Sequence, residues 1–232
     1  MTTKKIGIPI SKLGENSVGL TLSYLMFASQ FGEPVLLLPD GSVREDLDLL
    51  LLQGGADVDS SRYGEFPGYF TGKPDLHKEY FDVNVLPKYI ELGVPIAGIC
   101  RGEQSLAVHF NAKLIQHMQH ETNKPEDPYK CVHKVNLDPL NFWNWKEYTN
   151  KLTLDVNSRH HQVVSDDNFP DCLTVIGRHK DDKSIEIFCH NTLPIIGLQA
   201  HPEDIYDKDT NDFVYNIIDR IIETRRSILI DE

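Results

Sequence analysis

The most informative stretch of this chain is PIAGICRG, residues 95–102, in which an apolar run of strand type, 94–99, ends at Cys100. A helical pattern of apolar residues starts near Gly102. Gly98 and Gly102 stand two positions before and after the cysteine, and each removes a Cβ atom where strand and helix backbones crowd together. We therefore predict a sharp strand-to-helix turn that presents Cys100 as a candidate nucleophile.

The predicted helix after Cys100 would also activate its thiol. The N–H groups of the first helical turn carry partial positive charge, which favours thiolate over thiol and can receive an oxyanion. A G-x-C-x-G string alone is a weak signal, because a buried cysteine also serves as a small hydrophobic residue. A purely structural role for Cys100 therefore stays open until partner residues are found.

A second motif, IIGLQAHPE at 195–203, supplies those partners. Its apolar run predicts a buried strand that delivers His201 and Glu203 at its carboxyl end. A thiol nucleophile needs an imidazole to take its proton, and the imidazole needs an acceptor that fixes its tautomer. Because Pro202 restricts the backbone, the two side chains can share one side of an extended turn. The motifs together predict a catalytic triad of Cys100, His201 and Glu203.

A third motif, QGGADV at 53–58, follows the apolar strand pattern at 46–52. Glycines directly after a buried strand let backbone N–H groups approach a ligand closely. The N–H of Gly55 could then pair with that of Arg101 as an oxyanion hole, although a plain turn is the alternative for any Gly-Gly.

The alternation of strand and helix patterns predicts the architecture. Apolar strands are expected at 5–9, 34–38, 47–52, 94–99 and 195–199, and helices at 17–31, at 76–92 with a kink or restart at Pro87, and at 207–226. This alternation indicates an α/β fold with a doubly wound, mostly parallel, flavodoxin-like sheet and helices on both faces. Four β segments at 131–137, 152–156, 173–178 and 184–189 predict a small antiparallel addition, with loops at 125–129 and 138–150. All three motifs fall at strand ends, where such sheets bind ligands.

Four blocks in this order resemble class I glutamine amidotransferase-like proteins, most closely their gamma-glutamyl-gamma-aminobutyrate hydrolase branch. The blocks are QGGADV at 53–58 with YGE at 63–65, GICRGEQ at 98–104, VNSRHHQ at 156–162 and GLQAHPE at 197–203. The resemblance implies that Gln104 contacts the bound glutamyl group, and that Ser158 with His160 closes on its amino-acid end. It also implies the catalytic and oxyanion roles given above.

The chain departs from the family pattern at two places. Asn111-Ala112 replaces the usual Gly-Gly after the nucleophile helix, so this turn must be built differently. The family's Arg-Asp and following Glu appear as Lys78, Glu79 and Asp82, which keeps the signs of charge.

The function that this resemblance implies is thiol-dependent hydrolysis of a gamma-glutamyl amide to glutamate and a free amine through a glutamyl thioester. The alternatives are a glutaminase subunit that supplies ammonia to a separate synthetase partner, and a non-catalytic binding relative. Peptidase and chaperone relatives of the wider superfamily usually place His directly after the cysteine, where this chain has Arg101.

Length, composition and charge indicate the number of domains, the kind of partner and the location of the protein. The 232 residues suit one domain, 1–232, and the net charge of −12 argues against a nucleic-acid partner. Acidic residues near the cleft, including Asp57, Asp59 and Glu65, would favour a polyamine conjugate as substrate.

The chain has no apolar run of bilayer length and no signal-peptide pattern. We therefore expect a cytoplasmic protein with reduced thiols and without a membrane partner. A homodimer is possible.

No cofactor or metal is required for this chemistry. His109, His117 and His120 cluster in the sequence, but the chain has neither a tetrahedral Cys/His spacing nor a His-Glu-x-x-His helix.

Overall fold

A nine-stranded sheet organises the part of the chain that the computed structural model describes, residues 3–14, 17–118, 132–138, 152–204 and 207–230. The strands are β1 (Lys5–Pro9), β2 (Ser11–Gly14), β3 (Ser17–Gly19), β4 (Glu33–Leu37), β5 (Leu49–Leu52), β6 (Ile96–Ile99), β7 (Leu114–Ile115), β8 (Val132–Leu137), β9 (Thr153–Asn157), β10 (Val163–Val164), β11 (Leu173–His179), β12 (Ile185–His190) and β13 (Ile195–Leu198). The helices are α1 (Leu22–Ala28), α2 (Leu76–Asn84), α3 (Leu86–Glu91), α4 (Arg101–His109) and α5 (Lys208–Ile230).

Five neighbouring strands of the sheet are parallel, in the order β4-β1-β5-β6-β13. These are the five strands that the apolar runs predict. β6 lies between β5 and β13, and its Ile99 pairs with Leu198 while Gly98 pairs with Leu52. The carboxyl ends of these three strands therefore meet at one edge of the sheet.

The other four strands continue the same sheet in antiparallel fashion, in the order β12-β11-β8-β9. Each was predicted as a β segment, and the fold class is confirmed. The antiparallel part is larger than the small addition expected. It makes up four of the nine strands. The predicted segments pair with one another along most of their length and so extend the main sheet.

Helices cover both faces of the parallel strands. Leu49 and Leu51 pack in the layer that contains α1 and α5, whereas Leu50 and Leu52 pack in the layer that contains α2, α3 and α4. Every residue of β5 and β6 is buried as a result. This burial explains why these strands are continuous apolar runs rather than alternating patterns.

The structure corrects one helix and confirms another. The helix predicted at 17–31 begins only at Leu22, because Ser17–Gly19 forms a short antiparallel pair with Ser11–Gly14. At 76–92 the predicted restart is found, since α2 ends at Asn84 and α3 carries Pro87 in its first turn. There the missing N–H of proline costs no intrahelical hydrogen bond.

Several predictions concern segments that the structure does not describe. The loop predicted at 125–129, the loop predicted at 138–150 except for Asp138, and the residues Cys131 and His120 lie outside the described residues. The two-residue strands β7 and β10, which pair antiparallel, were not predicted. Among the helices in the described part of the chain, none has the length and apolar character needed to cross a membrane.

Candidate active site

Cys100 occupies the sharp turn between β6 and α4. Its backbone has φ 52° and ψ −108°, a positive-φ conformation that is strained for a residue with a side chain. The turn is fixed from both sides, because Cys100 N donates to Leu198 O at 2.7 Å and Gln104 N donates to Cys100 O at 3.1 Å. The predicted strand-to-helix turn is therefore present.

The glycines around Cys100 are needed because backbones approach closely. A Cβ atom on Gly98 would lie 2.6 Å from the carbonyl oxygen of Gly102, and one on Gly102 would lie 2.3 Å from the carbonyl oxygen of Leu52. Neither distance leaves room for a methyl group. The two glycines thus allow β5, β6 and α4 to pack tightly enough to form the turn.

His201 and Glu203 follow β13, the strand next to β6. His201 Nδ1 lies 2.7 Å from Glu203 Oε1, and Cys100 interacts electrostatically with the His201 ring. A Cβ atom built on Gly54 would lie 3.1 Å from His201 Cε1 and 3.4 Å from Cys100 Cβ. The structure therefore brings together the three residues of the predicted triad, with Gly54 against two of them.

The surroundings of His201 favour its protonated form. Burial is the largest single influence and lowers the pKa of His201, but the charge and hydrogen bond of Cys100, followed by those of Glu203, outweigh it and raise that pKa to about 10. An imidazolium beside the sulfur stabilises a thiolate. The electrostatics of the site thus favour an imidazolium at His201, next to the candidate nucleophile.

Two residues that the sequence did not single out hold His201 and its neighbours. The Asn157 side chain, at the end of β9, accepts from His201 N at 2.8 Å and donates to His201 O at 2.9 Å. The buried Tyr24 hydroxyl, on α1, accepts from Gly54 N at 2.9 Å and lies 3.4 Å from His201 Nδ1. Asn157 lies inside the VNSRHHQ block, whereas nothing in the pattern around Tyr24 distinguishes it from a core residue.

Tyr24 also stays uncharged. Its burial, followed by the negative charges of Glu203 and Cys100, raises the pKa of the Tyr24 phenol well above its ordinary value. The neutral hydroxyl accepts from Gly54 N and lies beside the His201 ring, 3.4 Å from its Nδ1. Tyr24 thereby links the glycine loop to the imidazole of the triad.

The two amides expected to form the oxyanion hole are available. Within the described part of the chain, no acceptor takes the N–H of Gly55 or that of Arg101. The Arg101 guanidinium is engaged elsewhere, with Nη1 at 2.6 Å from Asp82 and Nη2 at 2.5 Å from Glu79. Arg62 Nη1 reaches both carboxylates, at 3.1 and 3.2 Å. The two acidic residues of α2 thus form a buried ion network with the two arginines. This network leaves only the main chain of Arg101 to bind an oxyanion.

The residues expected to bind the glutamyl group are buried. Gln104 is buried, and its Nε2 donates to Gln162 O at 2.9 Å and to Gln199 Oε1 at 3.0 Å. Ser158 and His160 are also buried, with His160 Nδ1 at 3.1 Å from Gln162 O. None of these three lines the cleft described below, and their substrate roles stay predictions.

An open cleft of about 600 Å³ lies over His201 and Glu203. Its charged lining is balanced between the cations Lys73, Lys78 and Arg159 and the anions Asp75, Glu203 and Asp204. Ser11, Thr21 and Ser23 add hydroxyl groups. Arg159, which the sequence did not single out, stands in this cleft between the buried Ser158 and His160.

The acidic residues proposed to select a polyamine do not line this cleft. Asp57 accepts from Gly72 N at 2.7 Å and lies 3.1 Å from His161 Nε2, while Asp59 accepts from Ser61 N at the start of a short 3-10 helix. Glu65 accepts from Gln116 at 2.9 Å. These carboxylates fix the loop after β5, so the balanced lining of the cleft gives no preference for a dicationic amine.

The histidines with a possible metal role are separated by the fold. His117 stacks on Phe70 and lies 3.3 Å from the Nδ1 of His161, whereas His109 contacts Phe110. Where the chain is described, no group of three or more His, Cys, Asp or Glu residues could hold a metal ion. Cys100, Cys172 and Cys189 are free thiols.

Comparisons with known proteins identify the family and the fold of this chain. Residues 21–203 match the family model for Peptidase C26. YvdE, named as a glutamine amidotransferase-like protein in Lactococcus lactis, is 26% identical over 201 residues, which cover 81% of each chain. A protein of Schizosaccharomyces pombe, named as a glutamine amidotransferase, is 31% identical over 186 residues, 76% of this chain and 71% of the relative. A solved structure from Thermoplasma acidophilum, described as one of the subunits of GMP synthase, has a TM-score of 0.67 at 24% identity and covers 99% of this chain and 98% of that one.

Proposed function

Since the chain belongs to the Peptidase C26 family of class I glutamine amidotransferase-like proteins, we propose that it hydrolyses gamma-glutamyl amides with Cys100 as nucleophile. The substrate would be a gamma-glutamyl-amine conjugate, as in the gamma-glutamyl-gamma-aminobutyrate hydrolase branch, and the products would be glutamate and the free amine. The observation that carries this proposal is the placement of Cys100 and His201 against the same residue, Gly54, with His201 Nδ1 held by Glu203 at 2.7 Å.

The first half of the reaction forms a thioester. The Cys100 thiolate attacks the gamma-carbonyl carbon, and the N–H groups of Gly55 and Arg101 donate hydrogen bonds to the oxyanion of the tetrahedral intermediate. When the intermediate collapses, the C–N bond breaks and the proton on His201 goes to the leaving amine. Glu203 holds Nδ1–H throughout, so His201 uses its other ring nitrogen for these transfers.

The second half releases glutamate. Water enters in place of the amine and gives a proton to the now neutral His201 while its oxygen attacks the thioester carbonyl. Collapse of this second intermediate breaks the C–S bond and returns the thiolate. The same two amides stabilise both intermediates, so no further catalytic group is needed.

Recognition of the glutamyl group would draw on both signs of charge in the cleft. The alpha-carboxylate and alpha-ammonium of a glutamyl group need a cationic and an anionic partner, and Arg159 with Asp204 offers such a pair, 2.8 Å apart. Gln104, Ser158 and His160 are proposed as contacts from the family resemblance.

A glutaminase subunit is the second candidate. The Thermoplasma acidophilum protein is described as one of the subunits of GMP synthase, and its fold matches this chain along nearly its whole length. The chemistry at Cys100 would be the same, but the amine released would be ammonia, used by a separate synthetase partner.

The deciding experiment measures amine release by the purified chain from gamma-glutamyl-gamma-aminobutyrate, a gamma-glutamyl polyamine and glutamine, each against a Cys100→Ser variant. We expect kcat/KM to be higher for at least one conjugate than for glutamine, and no release by Cys100→Ser. Activity on glutamine alone would support the glutaminase alternative. A folded protein that hydrolyses none of the three would favour a binding relative, and activity in Cys100→Ser would exclude Cys100 as nucleophile.

A further inference from the structure

The buried amine of Lys78 contacts the glycine loop beside the nucleophile. Lys78 lies on α2, and its Nζ donates to the carbonyl oxygen of Gly54 and, at 3.3 Å, to that of Gln53. A Cβ atom on Gly55 would lie 2.7 Å from this Nζ. With only 5% of the residue exposed, the amine is committed to this loop rather than to solvent.

The contact acts on one particular peptide unit. The carbonyl of Gly54 and the N–H of Gly55 belong to the same planar trans peptide, so they point in opposite directions. Whatever fixes the carbonyl therefore also fixes the direction of the N–H. On the preceding peptide, the Tyr24 hydroxyl accepts the Gly54 N–H at 2.9 Å. The loop is thus held on both sides, while the Gly55 N–H has no acceptor among the described residues.

We propose that Lys78 is a positioning residue for the oxyanion hole: by holding the Gly54 carbonyl, it directs the Gly55 N–H at the oxyanion formed on the substrate at Cys100. This inference rests on the proposed thiol-dependent hydrolysis. A charged donor on the carbonyl also polarises the peptide, which strengthens its N–H as a hydrogen-bond donor. Lys78 neither touches the reacting atoms nor exchanges a proton with them.

The electrostatics around Lys78 fit this role. Burial lowers the pKa of Lys78 to about 7, and the Arg101 cation adds to the lowering, against the opposing charges of Asp82, Asp75 and Cys100. A lysine that served only solubility would not be expected to be buried at a site that disfavours its charged form. Both the ammonium and the neutral amine carry N–H donors, so the contact with Gly54 survives loss of the charge.

The test separates oxyanion stabilisation from activation of the thiol. Lys78→Met is compared with wild type and with Lys88→Met, which removes an exposed lysine on α3 that does not line the cleft. Two rates are measured, turnover of a gamma-glutamyl amide and alkylation of Cys100 by iodoacetamide. Alkylation displaces iodide from carbon and forms no oxyanion, so it reports only on the nucleophile.

We expect Lys78→Met to lower kcat by about 10- to 100-fold, somewhat less than the loss of an oxyanion donor, because the donor remains but is no longer aimed. KM and the alkylation rate should change by no more than about threefold, and Lys88→Met should leave kcat unchanged. Lys78→Arg, which keeps a cationic donor, should recover part of the loss and serves as the second variant if Lys78→Met does not fold.

Three results would overturn the inference. A wild-type kcat in Lys78→Met would show that Lys78 does not position the loop. A parallel fall in kcat and alkylation would assign Lys78 to the thiolate instead. An Arg variant that folds yet is no more active than a folded Met variant would exclude a donor role. Failure of the wild-type protein to release any amine is different, because it would refute the proposed function itself.

Discussion

Cys100 has a strained backbone conformation that backbone hydrogen bonds on both sides hold in place. Its positive φ costs on the order of 1–3 kcal/mol for a residue with a side chain. The hydrogen bonds to Leu198 and Gln104 hold that conformation in place. Because packing sets this strain, the turn keeps Cys100 beside Gly54 and His201.

Tyr24 provides a prediction at the level of a single hydroxyl. Tyr24→Phe removes the acceptor of the buried Gly54 N–H, and an unsatisfied buried donor costs about 1–3 kcal/mol. Because the loop that carries Gly55 loses a restraint, we expect kcat to fall about tenfold, measured with a gamma-glutamyl amide. Tyr215→Phe is the matched control, since Tyr215 packs on Phe27 of the same helix. An unchanged kcat in Tyr24→Phe would contradict this role.

His201 provides a prediction about stability and pH. Its pKa is about 10 in the folded protein and about 6.5 in an unfolded chain. A raised pKa stabilises the fold fully below the unfolded value, and this contribution is lost as pH rises toward the folded value. Between about pH 6.5 and about pH 10, the free energy of unfolding should therefore fall by at least about 1 kcal/mol more in wild type than in His201→Gln.

Denaturant unfolding at several pH values in that window measures the difference. The variant corrects for lysines, tyrosines and other cysteines that titrate in the same range. Parallel curves for the two proteins would mean that His201 keeps an ordinary pKa.

The roles of individual residues were predictable only for residues that belong to a short sequence motif. Cys100, His201 and Glu203 stand in short strings whose chemistry can be read locally, and the structure brings them together. Tyr24 and Lys78 act through contacts with a loop distant in the chain, and both look like ordinary helix residues in the sequence. Their roles depend on how α1 and α2 dock, which local patterns do not encode.

At the scale of elements, the turn between β6 and α4 depends on close packing with β5. Gly102→Ala would place a Cβ 2.3 Å from the carbonyl oxygen of Leu52, and backbone atoms cannot yield as a flexible side chain can. We expect a loss of about 2 kcal/mol or more in the free energy of unfolding, together with loss of turnover. Thermal or denaturant unfolding measures the first effect and amine release the second.

Gly68→Ala is the control for this prediction. Its Cβ would meet only side-chain atoms, the nearest being Gln116 Oε1 at 3.2 Å, so the loop can adjust. We expect a change within about 0.5 kcal/mol there, as for most surface substitutions. A Gly102→Ala variant as stable and active as Gly68→Ala would show that the elbow does not require the close approach.

The elements themselves were predictable to different degrees. Continuous apolar runs identified the parallel strands, because both faces of these strands are covered by helices. The start of α1 was not predictable in the same way. Ser17–Gly19 pairs with Ser11–Gly14, and such a short pair carries too few residues to establish a period of two. At the turn after α4, where the family usually has Gly-Gly, Asn111 takes the place of a glycine and adopts a positive φ of 73°.

At the scale of the whole molecule, sheet order assembles the site. Gly54 and Gly55 follow β5, Cys100 follows β6 and His201 follows β13, and these three strands are neighbours in the sheet. Parallel pairing places their carboxyl ends at one edge, so residues far apart in the chain converge without any long loop. Asn157 at the end of β9 joins them from the antiparallel half.

The central claim is that Cys100 carries the glutamyl group during turnover. The most direct measurement mixes the purified chain with a gamma-glutamyl amide, quenches with acid within one turnover and maps the modified peptide by mass spectrometry. We predict a glutamyl thioester on the peptide that contains Cys100, and no such adduct in Cys100→Ser. Glutamyl transfer to Cys172 or Cys189, or hydrolysis that proceeds in Cys100→Ser, would contradict the account.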